Sequence, residues 1–167
     1  MKRALVLYHS LFGNTKAVAM SLANGIKETG IDTVCMSIGE VDINQISSYS
    51  LIAIGGPTHI IRPSKDMKEF LQRLKTLDLR GKWGFAFDTR NHSRMNSRSW
   101  LMLENSAARI IEGSMKRMKI RMLVPRESAI VEGREGPLDS GVEERFREIG
   151  RELGRTFSHI LPQNINQ

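Results

Sequence analysis

Short apolar runs alternate along this chain with segments whose apolar residues recur every three or four positions. The runs at 4–8, 33–37, 51–54 and 83–87, and a split pair at 122–124 and 129–131, have the composition of buried strands. Helical spacing is clearest at 18–26, 67–77, 107–118 and 142–157, and a short, weakly patterned helix is expected after residue 42. Because strands that alternate with helices pair in parallel through right-handed crossovers, the pattern predicts an α/β fold with one doubly wound, three-layer domain.

The length and composition fit one such domain. A chain of 167 residues can bury one sizeable core, and we expect the domain to span residues 1–161 and a frayed polar tail to occupy 162–167. Apolar residues make up 40% of the chain and charged residues 26%, and no stretch approaches the ~18 apolar residues of a membrane span. Since the N-terminus leads directly into the first strand, no cleaved signal peptide is expected, and a cytoplasmic location is predicted.

A polar turn joins the first strand to the first helix. Its residues are Ser10, Leu11, Phe12, Gly13, Asn14 and Thr15. The first amide groups of a helix have no acceptor within the helix and lie at the positive end of its dipole, so a turn of this kind binds phosphate. Gly13 permits close approach of the backbone, while Ser10, Asn14 and Thr15 add side-chain donors. The alternative is an ordinary helix start capped by Ser10 or Asn14.

The run from Tyr8 to Thr15 resembles the phosphate loop of the flavodoxins, in which a hydroxyl residue, two spacers, Gly, Asn and Thr follow the first strand. It has the spacing of neither a Walker A loop nor a dinucleotide-binding glycine fingerprint. The resemblance implies a five-stranded parallel sheet of order 2-1-3-4-5 with bound FMN. In such a sheet the ligand lies beyond the carboxyl ends of the strands, between the first and third.

The resemblance extends to the loop after the third strand. Flavodoxin-like proteins have a similar Gly, spacer, Pro, Thr sequence there, and in this chain Gly55 and Gly56 permit close approach of the backbone. The resemblance implies flavin contacts from the next four residues, Pro57, Thr58, His59 and Ile60. His59, Ile60 and Ile61 are expected to cover one face of the ring. The alternative is an ordinary strand-to-helix turn, with a helix beginning near residue 64.

A third loop is expected after the fourth strand. Some flavodoxin-like proteins have a Phe-Asp-Thr-Arg run similar to residues 87–90, followed further on by a Ser-Ala-Ala segment like 106–108. The resemblance implies contacts to the pyrimidine edge of the flavin from Asp88, Thr89, Arg90 and Asn91. Asp88 has an alternative role as a helix cap or as an ion-pair partner of Arg90. Trp100 is explained equally well by packing at a helix start and by stacking on the ring.

The formal net charge of +7 is concentrated between residues 88 and 126, which hold nine basic and three acidic side chains. If this stretch is not merely a solvated helix face, it attracts an acidic redox partner or a substrate with carboxylates or phosphates. Nucleic acid binding is disfavoured, because the motifs of the common readers are missing and the aromatic residues do not interleave with the basic ones.

Other chemistry has less support in the sequence. The single cysteine, Cys35, lies in an apolar run, so we expect it to pack in the core without an internal disulfide. The four histidines have no companions at metal-ligand spacing, and no metal site is predicted.

Three functions remain open. The first is an FMN protein that carries electrons between redox partners, and the second is an FMN-dependent reductase that oxidises NAD(P)H and reduces a quinone or similar acceptor. The third is a flavin-free module that binds an acidic partner. Chain length favours the carrier. His59 and Ile60 favour the reductase, because many carriers of this family have a flexible glycine at that place. We predict the carrier.

Overall fold

A parallel sheet forms the centre of the fold. The structure is a computed structural model that describes residues 2–58, 62–91 and 106–160. The sheet has the order β2-β1-β3-β4-β5, β6 also pairs with β4, and every pairing is parallel. This confirms the predicted fold class and strand order. The strands are β1 (Arg3–Tyr8), β2 (Asp32–Ser37), β3 (Leu51–Pro57), β4 (Trp83–Asn91), β5 (Arg121–Met122) and β6 (Glu127–Val131).

The fifth position of the sheet is divided between two short strands, as the split apolar runs predict. β5 pairs with the first two residues of β4, and β6 pairs with the last five. Pro125 lies in the segment between them. Proline lacks an amide hydrogen and interrupts the ladder, which explains why one continuous strand does not form.

Helices cover both faces of the sheet. They are α1 (Asn14–Lys27), a 3-10 helix (Ile43–Ser48), α2 (Lys65–Leu74), α3 (Ala107–Arg117) and α4 (Val142–Ile160). One core lies between the sheet and the pair α1 and α4, and a second lies between the sheet and the 3-10 helix, α2 and α3. The 3-10 helix is the short helix expected after residue 42. No helix among the described residues is long and apolar enough to cross a membrane.

Alternate residues of each strand supply the two cores, because successive side chains of a strand face opposite sides of the sheet. On the α1 and α4 side, the Phe87 ring packs edge-on against Phe146, with the ring centroids 6.0 Å apart. On the other side, Leu5 and Ile52 pack in the core that α2 and α3 complete. The two cores hold the sheet rigidly between the helix layers and thereby fix the positions of the strand ends.

β3 and β4 extend beyond their predicted ends, which corrects the position of two expected loops. Gly55 and Gly56 lie in β3, and the residues from Asp88 to Asn91 lie in β4. The reason is pairing: Gly56 is in register with Asp88, and β6 adds a second neighbour along 87–91. The apolar pattern stops earlier because two glycines and a proline end β3 and four polar residues end β4. The tail expected at 162–167 lies outside the described residues, so the domain boundary at 161 stays a prediction.

Candidate functional site

The carboxyl ends of β1, β3 and β4 lie side by side at one edge of the sheet. Tyr8 is in register with Gly55, and Gly55 with Phe87. Just beyond this line, the Thr58 amide donates to the Thr89 carbonyl oxygen at 3.0 Å. The three segments predicted to form the site therefore meet at a single edge. Of the predicted contact residues, His59 and Ile60 lie outside the described residues, as does Trp100.

The turn after β1 leaves the N-terminus of α1 without a side-chain cap. Gly13 is the N-cap residue, at a φ of 91°, and within the described ranges no side chain caps the helix there, so neither Ser10 nor Asn14 has the alternative capping role. The amide of Ala17 donates to the Gly13 carbonyl oxygen at 3.0 Å. The amides of residues 14–16 therefore have no acceptor within the helix. A Cβ at Gly13 would meet no atom of the described residues within 4 Å, so these residues leave the helix N-terminus open to an oxyanion.

The polar side chains of the turn are partly engaged within the chain. Ser10 Oγ accepts a hydrogen bond from the Gly13 amide at 3.0 Å. Asn14 Nδ2 donates to the Glu135 carbonyl oxygen at 3.1 Å, and Thr15 Oγ1 lies 2.8 Å from Thr89 Oγ1 in a buried contact. Within the part of the chain that the structure describes, the Ser10 hydroxyl proton and one Asn14 amide proton have no acceptor and can be donated to a ligand.

Two apolar side chains project from the same turn. Leu11 is 52% exposed and Phe12 is 48% exposed. Large apolar side chains are usually buried. Two that face solvent beside a candidate site are therefore available for contact with a ligand or a partner. The sequence identified both residues as spacers of the turn.

Residues at the end of β1 form one wall of the site. His9 Nδ1 lies 2.7 Å from Ser64 Oγ, and His9 Nε2 lies 3.3 Å from Asp66 Oδ2. Since Ser64 is the N-cap of α2, the imidazole joins the turn to that helix. Burial raises the pKa of the neighbouring Tyr8 hydroxyl above its ordinary value of 10.0.

Asp88 is the centre of a buried polar cluster at the end of β4. Its Oδ2 atom accepts hydrogen bonds from the Thr58 hydroxyl at 2.5 Å, from Arg90 Nε at 3.2 Å and from the Ala108 amide at 3.3 Å. The side chain is fully buried, and within the described part of the chain Oδ1 has no hydrogen-bond partner. Both alternative roles of Asp88 are therefore present, since it caps α3 and pairs with Arg90.

The N-terminus of α3 is completed by residues from three segments. Ser106 Oγ accepts from the Arg109 amide at 3.0 Å, and Thr58 Oγ1 accepts from the Ala107 amide at 2.9 Å. With Asp88 on the Ala108 amide, the ends of β3 and β4 are hydrogen-bonded directly to the helix. These contacts hold Thr58, a predicted flavin contact, at a defined distance from α3.

One part of this edge was missed by the sequence analysis. The loop after β6 reaches the phosphate-binding turn, where Glu135 accepts the Asn14 hydrogen bond and Gly136 approaches the same side chain. Gly136 has a φ of 120°, which L side chains rarely adopt, and a Cβ there would lie 2.9 Å from Asn14 Oδ1, so the backbone conformation favours glycine. The signal in the sequence is the cluster of Gly133, Gly136 and Pro137, which predicts a turn but does not say what the turn contacts.

A comparison with known protein families supports the resemblance. The family model described as flavodoxin matches residues 6–149, which is most of the chain. The chain belongs to the flavodoxin family. A flavodoxin from Clostridium saccharobutylicum is 33% identical over 87 residues, which cover 52% of this chain and 54% of that protein. An NAD(P)H dehydrogenase (quinone) from Cupriavidus metallidurans is 29% identical over 101 residues, which cover 48% of this chain and 51% of that protein. The chain thus spans about half the length of these curated relatives.

Solved structures share the fold over nearly the whole chain. A flavodoxin from the domain Archaea has a TM-score of 0.77 and 24% identity, and the match covers 94% of this chain and 99% of that one. The flavodiiron protein from Giardia intestinalis has a TM-score of 0.74 and 20% identity, covering 95% of this chain but 37% of that one. The same fold therefore occurs as a separate flavodoxin and as part of a longer protein.

Proposed function

We propose that this chain binds FMN at the carboxyl edge of its sheet and carries electrons between redox partners. The observation that carries the proposal is the N-terminus of α1, where, among the residues the structure describes, no atom lies close to Gly13 and no side chain caps the helix. Membership of the flavodoxin family supports the same conclusion. A bound flavin supplies redox chemistry that protein side chains do not, and the protein supplies binding and electrostatics.

In this proposal, each segment of the edge holds a different part of the cofactor. The amides of residues 14–16 and the Ser10 hydroxyl hold the phosphate. The end of β3 and the residues after it, 57–60, lie against the ring. Thr89, Arg90 and Asn91, at the end of β4, lie toward its pyrimidine edge, although pairing with β3 and β6 engages much of their backbone. Asp88, which is fully buried, acts through its neighbours and does not touch the cofactor.

The redox partner in this proposal is acidic at its docking face. The chain carries a formal net charge of +7, and electrostatic attraction accelerates the encounter of oppositely charged surfaces. Exposed Leu11 and Phe12 lie beside the cofactor site and supply apolar contact area there. A cytoplasmic location, where such partners are available, is part of the same proposal.

A second candidate is an NAD(P)H-dependent reductase of quinones. It is favoured by the similarity to the NAD(P)H dehydrogenase (quinone) from Cupriavidus metallidurans, although the chain spans 51% of that protein. In this case the same edge holds the flavin, and the reductant is a nicotinamide cofactor instead of a partner protein.

Titration of the apoprotein with FMN and with riboflavin tests the cofactor proposal. Flavin fluorescence is quenched on binding, and FMN should bind at least tenfold more tightly than riboflavin because only FMN carries the phosphate for the α1 amides. Equal affinities would contradict the role of the turn. If excess FMN gives neither quenching nor heat in calorimetry, the flavin-free module replaces this proposal.

Anaerobic mixing with NADH or NADPH separates the carrier from the reductase. For a carrier, we expect the absorbance of the FMN-loaded protein to stay unchanged with either nucleotide alone and to bleach when a flavodoxin reductase is added. Rapid bleaching by NADH or NADPH alone, followed by recovery when a quinone is added, would select the reductase.

A further inference from the structure

We propose that the loop at residues 132–137, after β6, is a specificity element of the phosphate site that fixes the Asn14 carboxamide and keeps one of its N–H groups for the phosphate. This inference rests on the proposed FMN site and adds to it a segment that the sequence analysis did not identify. Gly136 is a positioning residue in this proposal, because it acts through Asn14.

Asn14 belongs to the phosphate-binding turn. It is the first residue of α1, directly after the N-cap Gly13. Its backbone amide is one of the amides of residues 14–16 that have no acceptor within the helix. The carboxamide and this amide belong to one residue, so the orientation of the carboxamide affects the same ligand.

The 132–137 loop contacts both ends of the Asn14 carboxamide. Nδ2 donates to the Glu135 carbonyl oxygen at 3.1 Å. A Cβ at Gly136 would lie 2.9 Å from Oδ1 and 3.2 Å from Nδ2, so the loop backbone packs directly against the group. A hydrogen bond on one side and packing on the other hold the carboxamide in one rotamer. Its second N–H has no acceptor among the described residues.

The loop itself is anchored on the sheet. An antiparallel bridge joins Val131 to Leu138, and the Glu132 amide donates to the Pro137 carbonyl oxygen at 2.9 Å. β6, which leads into the loop, pairs with the last five residues of β4. These bonds close the base of the loop, and the tip that contacts Asn14 therefore has a defined position relative to α1.

A carboxamide that is fixed before the ligand arrives favours binding. A mobile side chain loses rotamer freedom when it orders on a ligand, and that cost lowers the affinity. In this chain the loop has already ordered Asn14, and a hydrogen bond to a charged phosphate oxygen is stronger than one between neutral groups. The gain applies only to a ligand with an acceptor at this turn. It therefore raises the preference for FMN over riboflavin and leaves contacts to the ring unchanged.

Three variants and a control separate this role from a general effect on the fold. Asn14→Ala removes the carboxamide, Gly136→Ala places a methyl group against it, and the double variant does both. Gly141→Ala is the matched control. Both glycines have a positive φ, 120° at Gly136 and 78° at Gly141, but a Cβ at Gly141 would meet no atom of the described residues within 4 Å.

The decisive experiment measures the FMN and riboflavin affinities of the wild type and these variants by fluorescence quenching. We expect the ratio of FMN affinity to riboflavin affinity to fall about tenfold in Asn14→Ala and about threefold in Gly136→Ala. The double variant should match Asn14→Ala, because Gly136 acts only through Asn14. In Gly141→Ala the ratio should stay within about a factor of two of the wild type.

Three results would overturn the proposal. If Gly136→Ala weakens FMN and riboflavin by the same factor, the role of the loop is only structural. If Gly141→Ala lowers the ratio as far as Gly136→Ala does, backbone strain is the cause. If the two losses multiply in the double variant, Gly136 acts by a route other than Asn14.

The contact is tested in the apoprotein, so that its failure is distinct from a failure of FMN binding. In the NMR spectrum of the wild type, we expect a nuclear Overhauser effect between the Asn14 carboxamide protons and the Gly136 Hα protons. Inorganic phosphate should shift the carboxamide signals, and the shift should be smaller in Gly136→Ala at the same phosphate concentration. Absence of the Overhauser effect would overturn the proposal whether or not FMN binds. If the contact is present but the wild type binds neither FMN nor inorganic phosphate, the proposed function fails and the role of the loop fails with it.

Discussion

Gly13 begins α1 in a left-handed backbone conformation that costs an L side chain about 1–2 kcal/mol. The same residue leaves open space at the helix N-terminus, where a Cβ would meet no atom within 4 Å. A single residue thus shapes both the turn and the candidate phosphate site. Gly30 has the same combination of positive φ and open space at the other end of α1, and so provides a matched comparison.

We predict that Gly13→Ala and Gly30→Ala lower the free energy of unfolding by a similar amount, about 1 kcal/mol each, because both introduce a Cβ at positive φ. Only Gly13→Ala should also weaken FMN binding, by at least tenfold, since it alters the amides that face the phosphate. Urea unfolding and fluorescence titration measure the two effects. Equal FMN affinities in the two variants would contradict a role of this turn.

Cys35 is a residue whose reactivity is lowered by packing. It lies in β2, packs against the core and is half-buried, as its apolar run predicts. Burial raises the pKa of its thiol to about 11 from an ordinary value of 9.0. The folded protein therefore keeps this proton at a pH where the unfolded chain loses it, and the stability contribution is lost as the pH rises from about 9 to about 11.

We predict slow alkylation of Cys35 by iodoacetamide at neutral pH, with the rate rising about tenfold per pH unit up to the pKa, because the thiolate is the nucleophile. The matched reference is the same chain in urea, where the thiol should react at the rate of a model thiol. Mass spectrometry counts the adduct. Equal rates in the folded and unfolded protein at pH 8 would contradict the raised pKa.

At the scale of elements, α1 and α4 cross with their backbones in close approach. A Cβ at Gly150 would overlap the Leu22 carbonyl oxygen and lie 3.0 Å from Gly25 Cα. Neither helix can rotate to relieve this contact, because each buries an apolar stripe in the same core. Gly25 in α1 and Gly150 in α4 are therefore needed for the two helices to pack at this distance.

We predict that Gly150→Ala destabilises the protein by about 1–3 kcal/mol, because the added methyl group forces the helices apart. Gly113→Ala is the matched control, since it also lies within a helix but a Cβ there would have only Arg117 Nη1 nearby, at 3.9 Å. It should be neutral or stabilising by up to about 1 kcal/mol through helix propensity. Equal urea midpoints of the two variants would contradict the tight crossing.

At the scale of the whole molecule, an ion-pair network joins α1 to α4 at the end opposite the candidate site. Glu28, the C-cap residue of α1, accepts from Arg147 Nε and Arg151 Nε of α4, each at 2.6 Å. Arg147, and then Arg151, hold the pKa of Glu28 below its ordinary value of 4.5. A carboxylate with a lowered pKa stabilises the fold above its ordinary pKa, and the contribution is lost as the pH falls through the folded value.

We predict that Glu28→Gln is less stable than the wild type at pH 7. The difference should begin to shrink below about pH 4.5, where the carboxylate of the unfolded wild type takes up a proton, and should be lost as the pH falls through the lower pKa of the folded protein. High salt should shrink the difference at pH 7 because the pair is partly exposed. Glu152→Gln, an exposed site on the same helix, should show a smaller difference. A difference between Glu28→Gln and wild type that is constant from pH 7 to pH 3.5 would exclude the ion pair as its cause.

The architecture was predictable because the spacing of apolar residues along the chain indicates which side chains of each element are buried. Strands, helices and sheet order followed from apolar spacing and from the resemblance of three short segments. The ends of β3 and β4 were not predictable in this way, because Asp88 and Arg90 are polar residues within a strand. Their burial depends on pairing with β6 and on acceptors and donors supplied by other elements.

The sequence by itself determined the alternating α/β fold and the turn after β1, since both depend on residues that are close together along the chain. Only the tertiary structure decided that Asp88 serves Thr58 and Ala108, 30 and 20 residues away, and that Asn14 contacts Glu135, 121 residues away. Crossovers of the sheet bring these residues to one edge. Contacts of this kind depend on the relative positions of whole helices and strands, which a local sequence pattern does not predict.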